Sequence, residues 1–326
     1  MLAEETHTAL RKAPASLAEF ANKQMPFGLF EGIIADVNTT PWQALRRNGR
    51  KTWIYAGVFN ERYYTGFAIA DAGLVATAFA YVFDAQTQKY VEEKATVPFG
   101  FAANFDPTIQ SEWRLKNFAI VSTGTAMKLS YKGKRINLEI QLENNFNHGL
   151  TTLTPAAGRP FNHTYKDILM PAQVTATVDG ESINYGGNIG SIDFSKGYPP
   201  RNTFWNWASM VGQTTSGAPI GINLVAHHNN SLENSLWTED GAIAISQCVF
   251  EYQQPLDKNT WAVRSIDSII DLTFTPLGKR AENINAIFML SKFVQPFGVF
   301  KGTVLINGTP QPVSGYGVTE EHFAKW

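Results

Sequence analysis

"KLSYKGKRINLEIQLE", residues 128–143, sets the period of this chain. Leu129 and Tyr131 lead into a Lys132-Gly133-Lys134 turn. Ile136, Leu138, Ile140 and Leu142 then alternate with Arg135, Asn137, Glu139, Gln141 and Glu143. Successive strand side chains point to opposite faces, so the alternation predicts a hairpin whose second strand buries one face and wets the other. The same period recurs outward in "WIYAGVF" (53–59), "YYTGFAIADAGLVATAFAYVF" (63–83), "QVTATVDGESINY" (173–185), "GINLVAH" (221–227), "AIAISQCVFEY" (242–252), "IIDLTFT" (269–275) and "GTVLINGTPQPV" (302–313). Asp179-Gly180 and Asn307-Gly308 stand between strand runs and supply the positive φ angles that tight hairpin turns demand. Helical spacing is confined to "ASLAEFANKQ" (15–24), with Leu17, Phe20 and Ala21 on one face, Ser16 as cap and Pro26 as stop. The expected fold class is all-β and antiparallel, with a short N-terminal helix.

An internal comparison suggests how the strands divide. "TLTPAAG" (152–158) precedes the strand and turn "QVTATVDG" (173–180), and "TFTPLG" (273–278) precedes "KGTVLING" (301–308). Each set reads as the end of one β unit, a strand and Thr-Pro corner followed by a closing hairpin. The Gly/Asn-rich "NYGGNIGS" (184–191) follows the first set. The expected organisation is an N-terminal segment over 1–24, a first β domain over 25–190 and a second over 191–326.

Composition excludes several functions. Lys and Arg number 27 against 28 Asp and Glu, a formal net charge of -1, so no global positive field draws in nucleic acid or an anionic membrane. Charged residues are 17%, below the roughly 25% usual for soluble domains, while aromatics reach 13%. Much apolar surface is left to bury or to offer a ligand. The single cysteine, Cys248, permits no intramolecular disulfide and no cysteine metal cluster, and its apolar run "ISQCVFEY" suits an inert buried thiol. The first residues lack an apolar core typical of a secretory signal, and nowhere do 18 apolar residues run together. A cytoplasmic protein with no integral membrane segment, no nucleic-acid partner, no cofactor and no metal is expected; the sequence does not address its oligomeric state.

Motifs narrow the chemistry further. There is no G-x-S-x-G elbow, no H-E-x-x-H and no Gly-rich loop ending in Gly-Lys-Ser/Thr. "YGGNIGSID" precedes no helical pattern, which argues against a dinucleotide fold. His227 and His228 are adjacent in a strand run and point to opposite faces, so they do not share a metal. The densest region is 191–240. Extended there, Arg201, Thr203, Trp205, Trp207 and Ser209 share one face, and Asn202, Phe204, Asn206 and Ala208 the other. Two readings stay open for the first face: tryptophans plugging a barrel end with the arginine stacked on an indole, or a ligand cavity walled by indole. Asp193, Glu233 and Asn234 flank the stretch. A carboxyl buried against tryptophan is raised in pKa and becomes a proton donor; Asp193 also has Lys196 and Arg201 near in sequence as ion-pair partners.

"SIDFSKGYPPRNTFWNWASMVG" (191–212), "IGINLV" (220–225), "ENSLWTEDGAIAISQCVFEY" (233–252) and "QPFGVFKGTVLING" (295–308) resemble, in order, the blocks of the bacterial domain-of-unknown-function 2804 family. "RRNGRKTWIYAGVF" (46–59) and Lys166 in "HTYKDILMPAQVTATVDG" also fit it. The resemblance implies two tandem lipocalin-like (calycin) antiparallel β-barrels or strongly curved sheets, distantly similar to carotenoid hydratases and pericyclic cyclases that enclose greasy ligands. It brings no assigned reaction. It points to a site in or between the barrels, with Asp193, Trp205, Trp207, Asn223 and Glu233 as residues to test.

Three functions are then in play. The first is acid-assisted hydration, isomerisation or cyclisation of an apolar, isoprenoid-like or lipid-like molecule. Asp193 or Glu233 would be the catalytic proton donor; Arg201, Trp205, Trp207, Ser209, Asn223 and Asn234 would bind the ligand. The second is a lipid or small-molecule carrier with the same cavity and no proton-transfer group, and the third is carbohydrate binding or hydrolysis on aromatic platforms. The echo between "QMPFGLFEG" (24–32) and "VQPFGVFKG" (294–302) is expected to mark strands in tightly curved sheet, with Gly28 and Gly32, like Gly298 and Gly302, leaving gaps beside a phenylalanine.

Overall fold

The computed structural model describes residues 10–21, 23–40, 49–73, 75–98, 108–143, 146, 148–156, 158–286 and 289–325. Strands β1 (Arg11–Lys12), β2 (Gly28–Glu31), β3 (Lys51–Phe59), β4 (Tyr63–Asp71), β5 (Val75–Asp84), β6 (Lys89–Pro98), β7 (Trp113–Leu115), β8 (Phe118–Ser122), β9 (Ala126–Lys132), β10 (Ile136–Glu143), β11 (Leu150–Ala156), β12 (Arg159–Val178) and β13 (Glu181–Gly197) form one sheet of 13 strands. Strands β14 (Asn202–Thr214), β15 (Pro219–Ala226), β16 (Ser235–Thr238), β17 (Gly241–Ala244), β18 (Cys248–Glu251), β19 (Trp261–Ser265), β20 (Ile270–Ala286), β21 (Met289–Ile306) and β22 (Thr309–Lys325) form a second of nine. The chain is all-β, in two strongly curled sheets that are antiparallel apart from the short β1–β2 pair.

The hairpin over 126–143 forms as its alternation requires. In β10 buried and exposed residues alternate without a break, and Leu138 faces Tyr131 across the ladder as Ile140 faces Leu129. Asp179-Gly180 joins β12 to β13 and Asn307-Gly308 joins β21 to β22, all four residues at positive φ. The run over 63–83 is two strands rather than one, broken where Gly73 turns at φ 86°. Of the helix expected over 15–24, only a single 3-10 turn over Leu17–Phe20 forms, capped by the Ser16 hydroxyl. So short a segment does not sustain a helix by itself; Leu17 is held instead by packing on Phe30, Ile34, Val37, Leu153 and Phe161.

The two sheets share a strand order. In the first it runs β6-β5-β4-β3-β13-β12-β10-β9-β8-β7, and in the second β17-β16-β15-β14-β22-β21-β20-β19-β18. In each, a meander begins on a strand that pairs with the last strand of the closing hairpin. Both Thr-Pro corners carry a bulge, but in different places: between Thr154 and Ala156 beside the turn into β12, and between Pro276 and Gly278 in the middle of β20. The chain crosses from the first sheet to the second between Gly197 and Asn202. The Gly/Asn-rich run over 184–191 lies inside β13.

Each curl encloses its own apolar core, and a third cluster joins the two sheets. Its centre is Phe297, fully buried among Tyr64, Tyr81, Phe83 and Tyr90 of the first sheet, with ring centroids 5.0 to 6.2 Å away. Burying one such ring is worth about 1.5–3 kcal/mol, and the tilted and stacked pairs add to it. The Tyr64 hydroxyl donates to Gly298 O at 3.0 Å, Arg280 pairs with Glu92 at 2.7 Å, and Lys94 pairs with Glu282 at 2.7 Å across the same joint. Among the described residues no helix is long and apolar enough to cross a membrane.

Candidate active site

Parity decides which residues of β13 and β14 meet. Ile192 and Phe194 point into the first core, so Asp193 and Ser195 point out of it, toward the second sheet. Ala208 and Met210 enter the second core, so Trp205 and Trp207 point back toward the first. Between these outward faces lies a cavity of about 250 Å³. Tyr55, Phe79, Trp205, Trp207 and Phe293 are among its apolar walls, and its ionisable groups include Lys166, Asp193, Glu233, His228, Glu320 and His322, with Arg280, Lys94 and Glu282 also on the lining. It lies between the curled sheets and not inside either.

Lys166 on β12 sits directly opposite Asp193 on β13. Its ammonium lies 2.6 Å from Asp193 Oδ2 and 3.3 Å from Glu233 Oε2, with the lysine and glutamate side chains 5% and 2% exposed. The same ammonium stands 5.9 Å from the Trp207 ring centroid. Lys166, not Lys196 or Arg201, is therefore the partner of Asp193. Lys196 has the opposite parity along β13, and Arg201 is exposed in the link beyond the strand, not stacked on an indole.

The two carboxyls around Lys166 are driven apart. Burial, with Glu233 and Glu320 nearby, raises the pKa of Asp193 despite the adjacent lysine. Burial also opposes ionisation of Glu233, but Lys166 and the Asn229 amide, which donates to Glu233 Oε1, outweigh it and hold that carboxyl below its ordinary value. Lys166 is raised because two carboxyls overcome its own desolvation. Of the two carboxyls, Asp193 is therefore the readier to take up a proton and Glu233 the readier to stay ionised, the division that separates an acid from a stabilising base.

The loop over 227–234 delivers Glu233. His227, Asn229 and Asn230 all take left-handed backbone conformations, which asparagine tolerates best among side-chain-bearing residues. The loop is pinned by two buried asparagines outside the cavity lining. Asn223 donates to Glu233 O at 2.8 Å while accepting the Trp207 indole N–H at 2.8 Å. Asn234 accepts Val225 N–H at 2.6 Å and donates to Ser246 O at 2.9 Å. Both position the site without touching the space. Ser209 is buried on the face of Trp207 but away from the lining. His227 stacks on Phe204 at 5.5 Å, whereas His228 lines the cavity beside Trp205, at 5.8 Å, and is lowered in pKa by burial. Cys248 is buried, its thiol pushed up to about 12 by desolvation.

The opposite wall holds groups that sequence spacing did not bring forward. Glu320 accepts from the Trp205 indole and from Gln295, both at 2.9 Å, and His322 stacks on Trp205 at 4.1 Å. Tyr55 meets Trp207 edge to face at 5.6 Å and exchanges a hydrogen bond with Tyr81 at 2.9 Å. Arg280 lies between Phe79 and Phe293, 3.7 and 4.6 Å from their centroids. Glu320 pairs with Trp207 in register as Asp193 pairs with Tyr55, a relation the shared strand order imposes.

The model of the family described as domain of unknown function (DUF2804) matches residues 10–326. The chain belongs to that family. A search of curated proteins finds no match for this DUF2804 chain. Its fold is similar to that of a protein assigned as AttH from Nitrosomonas europaea, at TM-score 0.56 and 15% identity, over 87% of this chain and 96% of that one. It is similar also to kievitone hydratase from Nectria haematococca, at TM-score 0.56 and 13% identity, over 83% and 88% of the two chains. At these identities the likeness is one of fold alone.

On the face of β12 opposite Lys166, Asp167 accepts from the Tyr165 hydroxyl at 2.9 Å, and burial pushes its carboxyl up to about 7. The folded chain therefore holds this proton more tightly than the unfolded chain. The Asp167 contribution to stability should fall as pH rises from about 4 to about 7 and then level, against the opposite trend from buried His163, whose pKa is lowered to about 3. Denaturant titrations across that window are expected to show the stability of the wild type falling with pH relative to that of Asp167→Asn; identical slopes would refute the assignment.

Proposed function

We propose that this protein binds an apolar, isoprenoid-like small molecule between its two sheets and catalyses acid-assisted addition of water to, or isomerisation of, a double bond. The observation that carries this reading is Asp193, a carboxyl raised in pKa on a cavity wall facing Trp205 and Trp207. Asp193 donates its proton to one carbon of the double bond and recovers one from the water that adds to the other, or from the adjacent carbon in an isomerisation, so the carboxyl ends as it began. The indoles, with their electron-rich faces, and the Glu233 carboxylate stabilise the positive charge that develops on carbon. Lys166 compensates Glu233 and keeps the cluster neutral overall before the ligand enters. The name hydratase on one structure of similar fold is in keeping with this chemistry.

A carrier needs no ionisable group inside its cavity, and here several line it. Glycoside hydrolysis needs carboxyls on either side of a sugar ring; Asp193 and Glu233 instead grip one ammonium, 2.6 and 3.3 Å from it, which leaves no room for a ring between them.

Native mass spectrometry of protein purified from its own host identifies the retained ligand, and incubation with that compound then tests turnover. Asp193→Asn is expected to retain binding and lose roughly 10²-fold or more in rate, and the wild-type rate should fall as pH rises through the raised pKa of Asp193. A ligand that emerges unchanged would make the protein a carrier. Recovery of a hydrophilic oligosaccharide and nothing apolar would defeat both readings.

A further inference from the structure

Two rows of directly opposed residues cross the first sheet beneath the cavity. One runs Lys166, Asp193, Tyr55; the other, two residues along the strands and so on the same face, runs Thr152, Thr164, Ser195, Trp53. Asp193 Oδ1, Thr164 Oγ1 and Ser195 Oγ are buried and make no hydrogen bond among the described residues, and all three residues line the cavity. Thr164 and Ser195 are each 3% exposed. Buried polar atoms are nearly always paired, because an unpaired one forfeits its hydration without return. Three neighbours unpaired on one wall of one cavity mark a place where something polar is meant to sit.

We propose that Thr164, Ser195 and Asp193 Oδ1 together bind the neutral oxygen of a ketone or alcohol carried by an otherwise apolar ligand. This rests on the apolar-ligand reading above and specifies which end of the ligand lies where. Hydroxyls both donate and accept, so they suit either oxygen function. Asp193 Oδ2 faces the Lys166 ammonium at 2.6 Å and must accept, which leaves Oδ1 to meet the ligand, accepting from an alcohol as a carboxylate or donating to a ketone when protonated. A carboxylate ligand is disfavoured here: Lys166 is already engaged by two carboxyls, and Glu233 would repel it. The rings of Tyr55, Phe79, Trp205 and Trp207 offer the carbon skeleton apolar contact, while Arg280, Glu320 and His322 on the same lining are engaged by Glu92, by Trp205 and Gln295, and by Ser291.

Menthol, menthone and p-menthane share one C10 skeleton and differ only in oxygen. Quenching of intrinsic tryptophan fluorescence, with Trp205 and Trp207 on the cavity wall, reads their dissociation constants. In the wild type at least one oxygenated compound is expected to bind ~10-fold or more tightly than the hydrocarbon, as one or two good hydrogen bonds provide. In the double variant Thr164→Val, Ser195→Ala this preference should shrink to about threefold or less, with p-menthane binding unchanged or improved. Equal affinity for all three in the wild type overturns the inference and leaves the apolar-ligand reading standing. Failure of all three to bind overturns both. An undiminished preference in a folded double variant assigns the oxygen to other groups and overturns the inference as well; if that variant does not fold, the wild-type comparison still decides.

Discussion

Lys166→Met lowers the unfolding free energy by roughly 3–5 kcal/mol, the usual cost of breaking a buried ion pair from one side. The ammonium is 5% exposed and is the cation Glu233 relies on at 3.3 Å, so its removal strands a carboxylate that is itself 2% exposed. Glu233 must then take up a proton or admit water, and either opens the joint between the sheets. Adding Glu233→Gln to Lys166→Met should recover much of the loss, because an amide needs no counter-charge and can still meet Asn229. Asp193→Asn alone should cost far less, since Asp193 is the member favoured in its neutral form. Equilibrium denaturation of the four proteins checks the order. A single Lys166→Met variant as stable as the wild type would mean that the triad carries no net ion pair.

Gly298→Val is expected to leave little soluble protein or to cost more than about 4 kcal/mol. A Cβ at Gly298 would stand 2.2 Å from Thr275 O and 2.8 Å from the Phe274 ring, opposite the bulge at Pro276 and Gly278. The obstruction is backbone, which no rotamer change relieves. The Gly298 carbonyl also accepts the Tyr64 hydroxyl, so displacement of this strand pulls on the Phe297 cluster. Gly308→Ala is the control. It lies in a hairpin turn with open space around its Cβ and φ 72°, so it should cost no more than about 1–3 kcal/mol of local strain. A soluble Gly298→Val protein with a wild-type unfolding curve would sink the close-approach account.

Local periodicity carried most of the fold. The alternation in β10 and the two turn dipeptides each depend on neighbours along the chain, so they can be read without knowing the tertiary structure. The helix over 15–24 did not form because its spacing is real but its length is too small. For the site, the shared face of Trp205 and Trp207 was legible as strand parity, and Asp193 and Glu233 as carboxyls flanking it; the structure sets these four residues around one cavity. Their partner was not. Lys166 reaches Asp193 only through the register of β12 on β13, 27 positions apart in the sequence, while Lys196 and Arg201 were nearer along the chain but faced elsewhere. Glu320 and His322 come from β22, whose place beside β14 no local pattern announces. Arg201 shares its parity with the tryptophans, yet the strand begins only at Asn202, so parity places nothing there.

The cavity has one wall from each sheet, and the chain passes between the sheets once, at Gly197 to Asn202. Any molecule that touches both walls is therefore a tether as well as a ligand. By reciprocity, the factor by which it strengthens the hold of one sheet on the other equals the factor by which a well-closed joint strengthens its own retention. Substitutions at Phe297, which does not line the cavity, would then appear in a ligand's dissociation constant, and a saturating ligand would appear as resistance to proteolysis in the link.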